Sequence, residues 1–224
     1  NLRREGIVSR SDATTASIDA PVVFQVGDVM KDAVDQNVTR AMARPSVAAK
    51  LGIAGAGYAV ATLHRVENTD EPARLREIAA ALVDLACDVP VVVPLHPRTR
   101  HALATAGIET RSAGVHWVEP LSYLDMLQLV SHAKLVLTDS GGLQKEAYLL
   151  GVPCVTLRDE TEWVELVEVG WNRLAGADRK QILAAARDSL TSPPNAGTAG
   201  LYGDGHAADR IVAACLDWCR HGRA

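Results

Sequence analysis

Four cysteines in 224 residues are too few, and too irregularly spaced, for a disulfide scaffold. Cys87 and Cys154 fall in apolar surroundings and are expected as core thiols. Cys215 and Cys219 lie four apart on a helical pattern and share one face. They read either as a metal pair with His206 or His221 or as packing, and the lack of four-ligand zinc spacings favours packing. No metal is expected. No run of about 18 apolar residues occurs, so no membrane-spanning segment is read, and no leader pattern opens the chain. Nor is there an excess of positive charge: the net charge of -4 leaves no basic footprint for nucleic acid. An anionic ligand would need donors placed locally.

What is present is ordinary for a globular domain, with 48% hydrophobic and 22% charged residues. The chain starts Asn1-Leu2-Arg3-Arg4-Glu5-Gly6, without an initiator Met and in a helix-like pattern. A position inside a longer protein is therefore expected, with N-terminal processing as the other reading of the same start.

Short apolar runs alternate with helical patterns along the chain. Strands are expected at Pro21 to Val26, Tyr58 to Leu63, Val91 to Val93, Val115 to Val118, Leu135 to Leu137 and Cys154 to Leu157. Helices are expected at Val29 to Val38, after Thr69-Asp70-Glu71-Pro72, from Ser122 to Ser131, at Gly142 to Leu150, at Asp178 to Leu190 and at Ala207 to Trp218. Thr69 and Pro72 supply a capping side chain and an early Pro, and Ser122 with Asp125 suggests a capping box. The Pro- and Gly-rich stretch Thr191 to Gly200 is expected as a loop that lets the chain cross elsewhere. Continuous apolar strands separated by helices indicate an α/β fold with a Rossmann-like doubly wound parallel sheet.

In such a sheet ligands bind beyond the carboxyl ends of the strands. Three polar clusters follow strands directly: Thr62 to Asn68, His96 to Thr99, and Thr138 to Gly142. If the strands are parallel, all three share one edge. Ser140-Gly141-Gly142 leaves backbone N–H groups free at a helix start, where an oxyanion can approach. Glu146, one turn on, is placed to accept from a ribose diol. A tight turn followed by a solvated acid is the other reading. His64 suits acid–base work or a hydrogen bond to a leaving phosphate, and Arg65 offers a planar donor fork. A satisfied loop histidine beside a surface arginine is the alternative, and His96 has the same two readings. The acids between Asp159 and Glu168 are read mostly as a solvated face.

The ordered segments Thr62-Leu63-His64-Arg65-Val66-Glu67-Asn68, Asp139-Ser140-Gly141-Gly142-Leu143-Gln144-Lys145-Glu146-Ala147, Leu157-Arg158-Asp159-Glu160-Thr161-Glu162 and Tyr202-Gly203-Asp204-Gly205 closely resemble non-hydrolysing UDP-N-acetylglucosamine 2-epimerases. Val26-Gly27-Asp28-Val29 with Asp32-Ala33 resembles the stretch before the hinge of that family. The resemblance covers nearly the whole chain. It implies the C-terminal half of a GT-B-like two-domain architecture, with the active site between domains. Residues 1–40 would be the end of the N-terminal domain and the hinge, 41–204 the UDP-binding domain, and 205–224 a helix returning to the first domain.

By the same resemblance, Ser140, Gly141 and Gly142 would hold the diphosphate, Glu146 the ribose, and Arg65 the UDP. His64 would act at the diphosphate and the reacting sugar, and His96, Met126 and Trp163 would line the cleft. Trp163 stands where some members carry an Arg that reaches the nucleotide, and Val66 stands where many carry a second Arg.

The family reaction interconverts UDP-GlcNAc and UDP-ManNAc by eliminating UDP to 2-acetamidoglucal and adding it back. No nicotinamide or other cofactor is implied. Its catalytic carboxylates lie in the N-terminal domain, so this chain alone is expected to bind UDP and turn over nothing. A non-catalytic UDP-sugar-binding module, a hydrolysing epimerase and a GT-B glycosyltransferase are the alternatives. The expected partners are UDP-GlcNAc or UDP, the N-terminal domain and a second copy in a homodimer. A cytoplasmic role in supplying sugar for cell-surface polysaccharide is expected by analogy.

Overall fold

In the computed structural model, which describes residues 2–3, 5–9, 17, 19–55, 57–194 and 200–221, the apolar runs become short parallel strands. They are β1 (Ala59–Thr62), β2 (Val91–Pro94), β3 (Val115–Val118), β4 (Leu135–Thr138), β5 (Cys154–Thr156) and β6 (Asn172–Leu174). They pair in the order β3-β2-β1-β4-β5-β6, and every pairing is parallel. This is the doubly wound order, in which the chain runs outward one way from β1 and then outward the other way from β4. The crevice between β1 and β4 is the topological switch point.

Successive strand residues face opposite sides of a sheet, so a strand covered on both sides needs apolar residues at every position. Ala59, Ala61, Val91, Val93, Leu135 and Leu137 enter one core, and Val60, Val92, Val136 and Cys154 the other. The first core is closed by α4 (Pro72–Leu85), α5 (Pro97–Thr105) and α9 (Arg179–Thr191), through Leu75, Ile78, Leu82, Leu103 and Ile182. The second is closed by α2 (Val47–Lys50), α6 (Tyr123–Ser131) and α7 (Gly141–Leu149), through Val47, Leu129, Leu143 and Ala147. The short α3 (Val66–Thr69) and α8 (Val164–Glu168) fill the connections after β1 and β5.

Local chemistry sets the helix starts. Ser122, Ser140 and Asp178 each accept a hydrogen bond from the backbone N–H three residues on, at 3.3, 3.3 and 2.8 Å. Each such cap stabilises its helix by about 1 kcal/mol. Thr69 does not cap α4: its hydroxyl lies 3.0 Å from Arg65 O, just before α3, and from Asp70 Oδ1, just after it, and these two acceptors share its one proton. Glu71 holds the cap position of α4 without a side-chain bond, and Pro72 opens the helix.

The expected strand at Pro21 to Val26 does not form. Those residues take no regular secondary structure and are half-buried to exposed, and no ladder partner joins them among the described residues. Conversely, β6 was not expected, since Asn172-Arg173-Leu174 carries no apolar run. Cys154 is buried as expected, whereas Cys87 is exposed in the turn after α4. Cys215 and Cys219 are exposed too, not packed.

The chain divides into two compact units, Gln36–Ala199 with the sheet, and Asn1–Asp35 with Gly200–Ala224. The boundary at Asp35 falls inside α1 (Val29–Met42). In the second unit the Asp32 carboxylate accepts from Ala207 and Ala208 N–H at 3.1 and 2.7 Å, which fixes the start of α10 (Ala207–His221). Gly203 has φ +90°, and a Cβ there would meet Gly27 Cα at 3.0 Å. This close backbone approach explains why both motifs carry glycine. The middle of the expected loop at 191–200, residues 195–199, lies outside the described residues, as do Asn1 and Arg4 and the side chain of His221. Among the described residues no helix is long and apolar enough to cross a membrane.

Candidate functional site

The site opens where β1 and β4 end side by side. Thr62 and Thr138 are register partners, and their hydroxyl oxygens lie 2.6 Å apart. Thr138 Oγ1 also accepts from Ser140 N–H at 2.9 Å, which starts the turn into α7. Between the two strand ends sits Asp139, which is fully buried.

Asp139 is held by donors from the other strand's cluster. His64 N–H and Arg65 N–H reach its carboxylate at 3.1 and 3.0 Å, and Asn68 Nδ2 at 3.2 Å. His64 Nδ1 lies 3.0 Å from Asp139 Oδ1. An ionised carboxylate only accepts, so Nδ1 carries the proton there. Burial is the largest influence on the Asp139 carboxyl and pushes its pKa up. The hydrogen bonds from His64, Arg65 and Asn68 together outweigh it and leave the group below the usual 3.8. The bond to Asp139 in turn raises the His64 imidazole above 6.5, against a smaller opposing effect of burial. His64 is half exposed, and among the described residues its Nε2 has no protein partner.

On the far side of the crevice α7 begins with Gly141 and Gly142. Ser140 Oγ accepts from Leu143 N–H at 3.3 Å, so the hydroxyl is first of all a helix cap, with its own proton left to donate. The N–H groups of Gly141 and Gly142 are orphan donors of the first turn. A Cβ on Gly141 would meet Trp163 Nε1 at 3.4 Å, Glu162 Oε2 at 3.7 Å and Arg65 Nη2 at 3.9 Å. These three side chains rim the space in front of the helix terminus.

The rim is built by the loop after β5. Thr161 Oγ1 donates to Gln144 Oε1 at 2.7 Å and accepts from Trp163 N–H at 3.2 Å, which ties the loop to α7. Glu162 lies between two guanidinium groups, 2.7 Å from Arg158 and 3.4 Å from Arg65. Arg158 above all holds the Glu162 carboxyl at about 2. Trp163 Nε1 donates to Gly141 O at 2.8 Å, and Lys145 Nζ lies 4.2 Å from its ring centroid.

The sequence-expected residues therefore fall into two groups. His64, Arg65, Ser140, Gly141, Gly142 and Trp163 come together at the crevice. Glu146 is half buried one turn into α7; burial pushes its carboxyl up, and its charge raises the Tyr123 phenol after burial has done so. His96 caps α5, with Nδ1 accepting from Arg98 N–H at 3.3 Å, at the end of the neighbouring strand. Met126 is half buried against the second core. No described contact joins His96 or Met126 to the rim. Val66 opens α3 and is exposed.

Asp139, Asn68, Thr161 and Glu162 lie inside the quoted motifs but carry no role in the sequence reading. Asp139 had one usable signal, an acid at a strand end directly before a helix cap. Among the described residues no group of three or more His, Cys, Asp or Glu side chains is placed to hold a metal ion.

Fold and site together define a doubly wound α/β domain with a buried acid–histidine pair and a glycine-lined helix start at its switch point. The family model for UDP-N-acetylglucosamine 2-epimerase matches residues 1–216, and the chain belongs to that family. It is 44% identical over 95% of its length to the UDP-2,3-diacetamido-2,3-dideoxy-D-glucuronate 2-epimerase of Pseudomonas aeruginosa, of which it covers 55%. The crystal structure of Methanocaldococcus jannaschii UDP-GlcNAc 2-epimerase with UDP-GlcNAc and UDP is similar at TM-score 0.81 and 33% identity, covering 96% of this chain and 57% of that one. The Neisseria meningitidis UDP-GlcNAc 2-epimerase bound to UDP-GlcNAc follows at TM-score 0.71 and 27% identity, covering 89% and 56%. The chain thus spans about half the length of the relatives it matches.

Proposed function

We propose that this chain is the UDP-binding part of a UDP-N-acetylglucosamine 2-epimerase, which interconverts UDP-GlcNAc and UDP-ManNAc. The observation that carries the reading is the meeting of the His64–Asp139 pair with the glycine-lined start of α7 across the switch point. The diphosphate lies against Ser140, Gly141 and Gly142, with Arg65 beside it. Glu146 takes the ribose, and His96, Met126 and Trp163 belong to the cleft wall.

The chemistry asks for two things. The C1–O bond must break, with negative charge growing on the departing diphosphate. A proton must also leave C2 and return from the opposite face. Imidazolium at His64, sustained by the buried Asp139 carboxylate, stabilises the first step as a charged donor at the leaving oxygen. Hydrogen at C2 moves as a proton, so no nicotinamide is needed. The bases at C2 belong to the other domain of the whole protein, to which residues 1–40 and 205–224 are assigned here. The whole protein works as a cytoplasmic homodimer, and this part alone binds UDP without turning over substrate.

Deuterium incorporation at C2, measured with the full-length protein and UDP-GlcNAc in D2O, tests this reading. Exchange together with UDP-ManNAc supports it, and neither exchange nor UDP-ManNAc sinks it. Free N-acetylmannosamine would point to a hydrolysing enzyme. A second substrate is favoured by the 44% identity to the diacetamido-dideoxy-glucuronate epimerase. The same assay with that UDP-uronate separates the two, since the preferred sugar shows the higher kcat/KM.

A further inference from the structure

The carbonyl of Gly141 accepts a hydrogen bond from Trp163 Nε1 at 2.8 Å, and the N–H of the same peptide unit belongs to Gly142. That N–H sits in the first turn of α7, where no helical acceptor exists for it. The cap hydroxyl of Ser140 goes to Leu143 N–H instead. A hydrogen bond into a carbonyl polarises its amide, so the N–H at the other end becomes a stronger donor. It also fixes the rotation of the peptide plane, and with it the direction of the Gly142 N–H.

Lys145 adds a second link. It is buried, and its ammonium lies over the face of the Trp163 ring at 4.2 Å from the centroid. A cation there draws on the π electrons and makes the indole N–H a better donor. Charge on Lys145 is thus passed through the indole and the Gly141–Gly142 peptide to the mouth of the crevice. Glycine at 141 is part of the device, since it leaves that mouth open to an oxyanion under the Arg65 and Trp163 rim.

We propose that Trp163, backed by Lys145, is a positioning residue that aims and strengthens the Gly142 N–H for a diphosphate oxygen. This rests on the UDP reading of the site.

The test uses the whole chain labelled with 15N-glycine, titrated with UDP and with uridine, which lacks the diphosphate. UDP is expected to move the Gly142 amide proton downfield in the wild type. Trp163→Phe keeps an aromatic face over Lys145 but deletes the donor. It should weaken UDP about tenfold, the scale of one hydrogen bond, shrink the Gly142 shift, and leave uridine affinity and Tm nearly unchanged. Lys145→Met should reduce UDP affinity and the Gly142 shift in the same direction by a smaller factor, and it serves as the readout if Trp163→Phe folds poorly. Unchanged UDP affinity in both variants overturns the proposal while leaving the nucleotide site standing. Equal loss of UDP and uridine with a lowered Tm overturns it too, by showing a merely structural role. A wild type that binds neither ligand removes the UDP reading itself, and the positioning role with it.

Discussion

His64 Nδ1 lies 3.0 Å from the fully buried Oδ1 side of Asp139, and the same carboxylate also takes the backbone N–H groups of His64 and Arg65. One acid therefore does two jobs. It fixes the loop after β1 against the end of β4, and it keeps an imidazole protonated on the side away from the crevice. The other ring nitrogen is then free for a ligand, as an acceptor when His64 is neutral and as a donor when it is charged.

Asp139→Asn separates these jobs. The amide fills the same space but brings its own N–H groups into a pocket of donors, which leaves some of them unpaired. We expect a loss of about 1–3 kcal/mol in unfolding free energy, the scale for an unsatisfied buried polar group. His64, followed by its ring NMR signals, should titrate at lower pH than in the wild type. A His64 titration that does not move would show that Asp139 is not what raises it.

The two shifts give opposite pH limbs. His64 is raised above 6.5 in the folded chain, so its contribution is complete below the unfolded value and is lost as pH rises through the folded pKa. Asp139 is lowered below 3.8, so its contribution is present above that value and is lost as pH falls through the folded pKa. The Tm difference between wild type and His64→Asn should be flat below the ordinary imidazole value of 6.5 and shrink as pH rises from there through the raised folded pKa. If charged His64 donates to the diphosphate, as proposed, UDP affinity should weaken over the same pH interval. An affinity constant across that interval would remove His64 from the diphosphate.

Most of the architecture was legible because strands buried on both faces must be continuously apolar, and Val91-Val92-Val93 or Leu135-Val136-Leu137 have no other comfortable place. Ser140 as a helix cap and the glycines after it could be read from local chemistry alone. The His64–Asp139 pair could not, since it joins residues 75 apart and exists only because β4 lies beside β1. The strand at 172–174 is not legible in the sequence, because a three-residue edge strand carries too little pattern. Trp163 was readable only as an aromatic near the ligand; that its indole works through the Gly141 carbonyl is tertiary information.

Glu162 offers a further test. Its carboxylate faces Arg65 and Arg158 and comes within 3.7 Å of where a Gly141 side chain would begin, so it competes with an incoming diphosphate for the same positive groups. Glu162→Gln should tighten UDP by roughly 2- to 5-fold at low salt, the scale of a partly exposed ion pair. The gain should vanish in about 0.5 M salt, where such charges are screened. Calorimetry at two salt concentrations decides it, and weaker binding at low salt would mean that Glu162 supports the ligand instead.

Gly141→Ala distinguishes a binding glycine from a structural one. Gly141 is a first-turn helical residue and is not among the positive-φ glycines, so alanine fits its backbone. The new methyl would touch Trp163 Nε1 at 3.4 Å, which is ordinary contact. Folding should therefore be unharmed, and the stiffer unfolded chain should add about 0.5 kcal/mol of stability. UDP affinity should nevertheless fall at least tenfold, because the methyl fills the space from which an oxyanion would approach the Gly141 and Gly142 N–H groups. Retained UDP binding in a stably folded Gly141→Ala chain would take the diphosphate away from the start of α7.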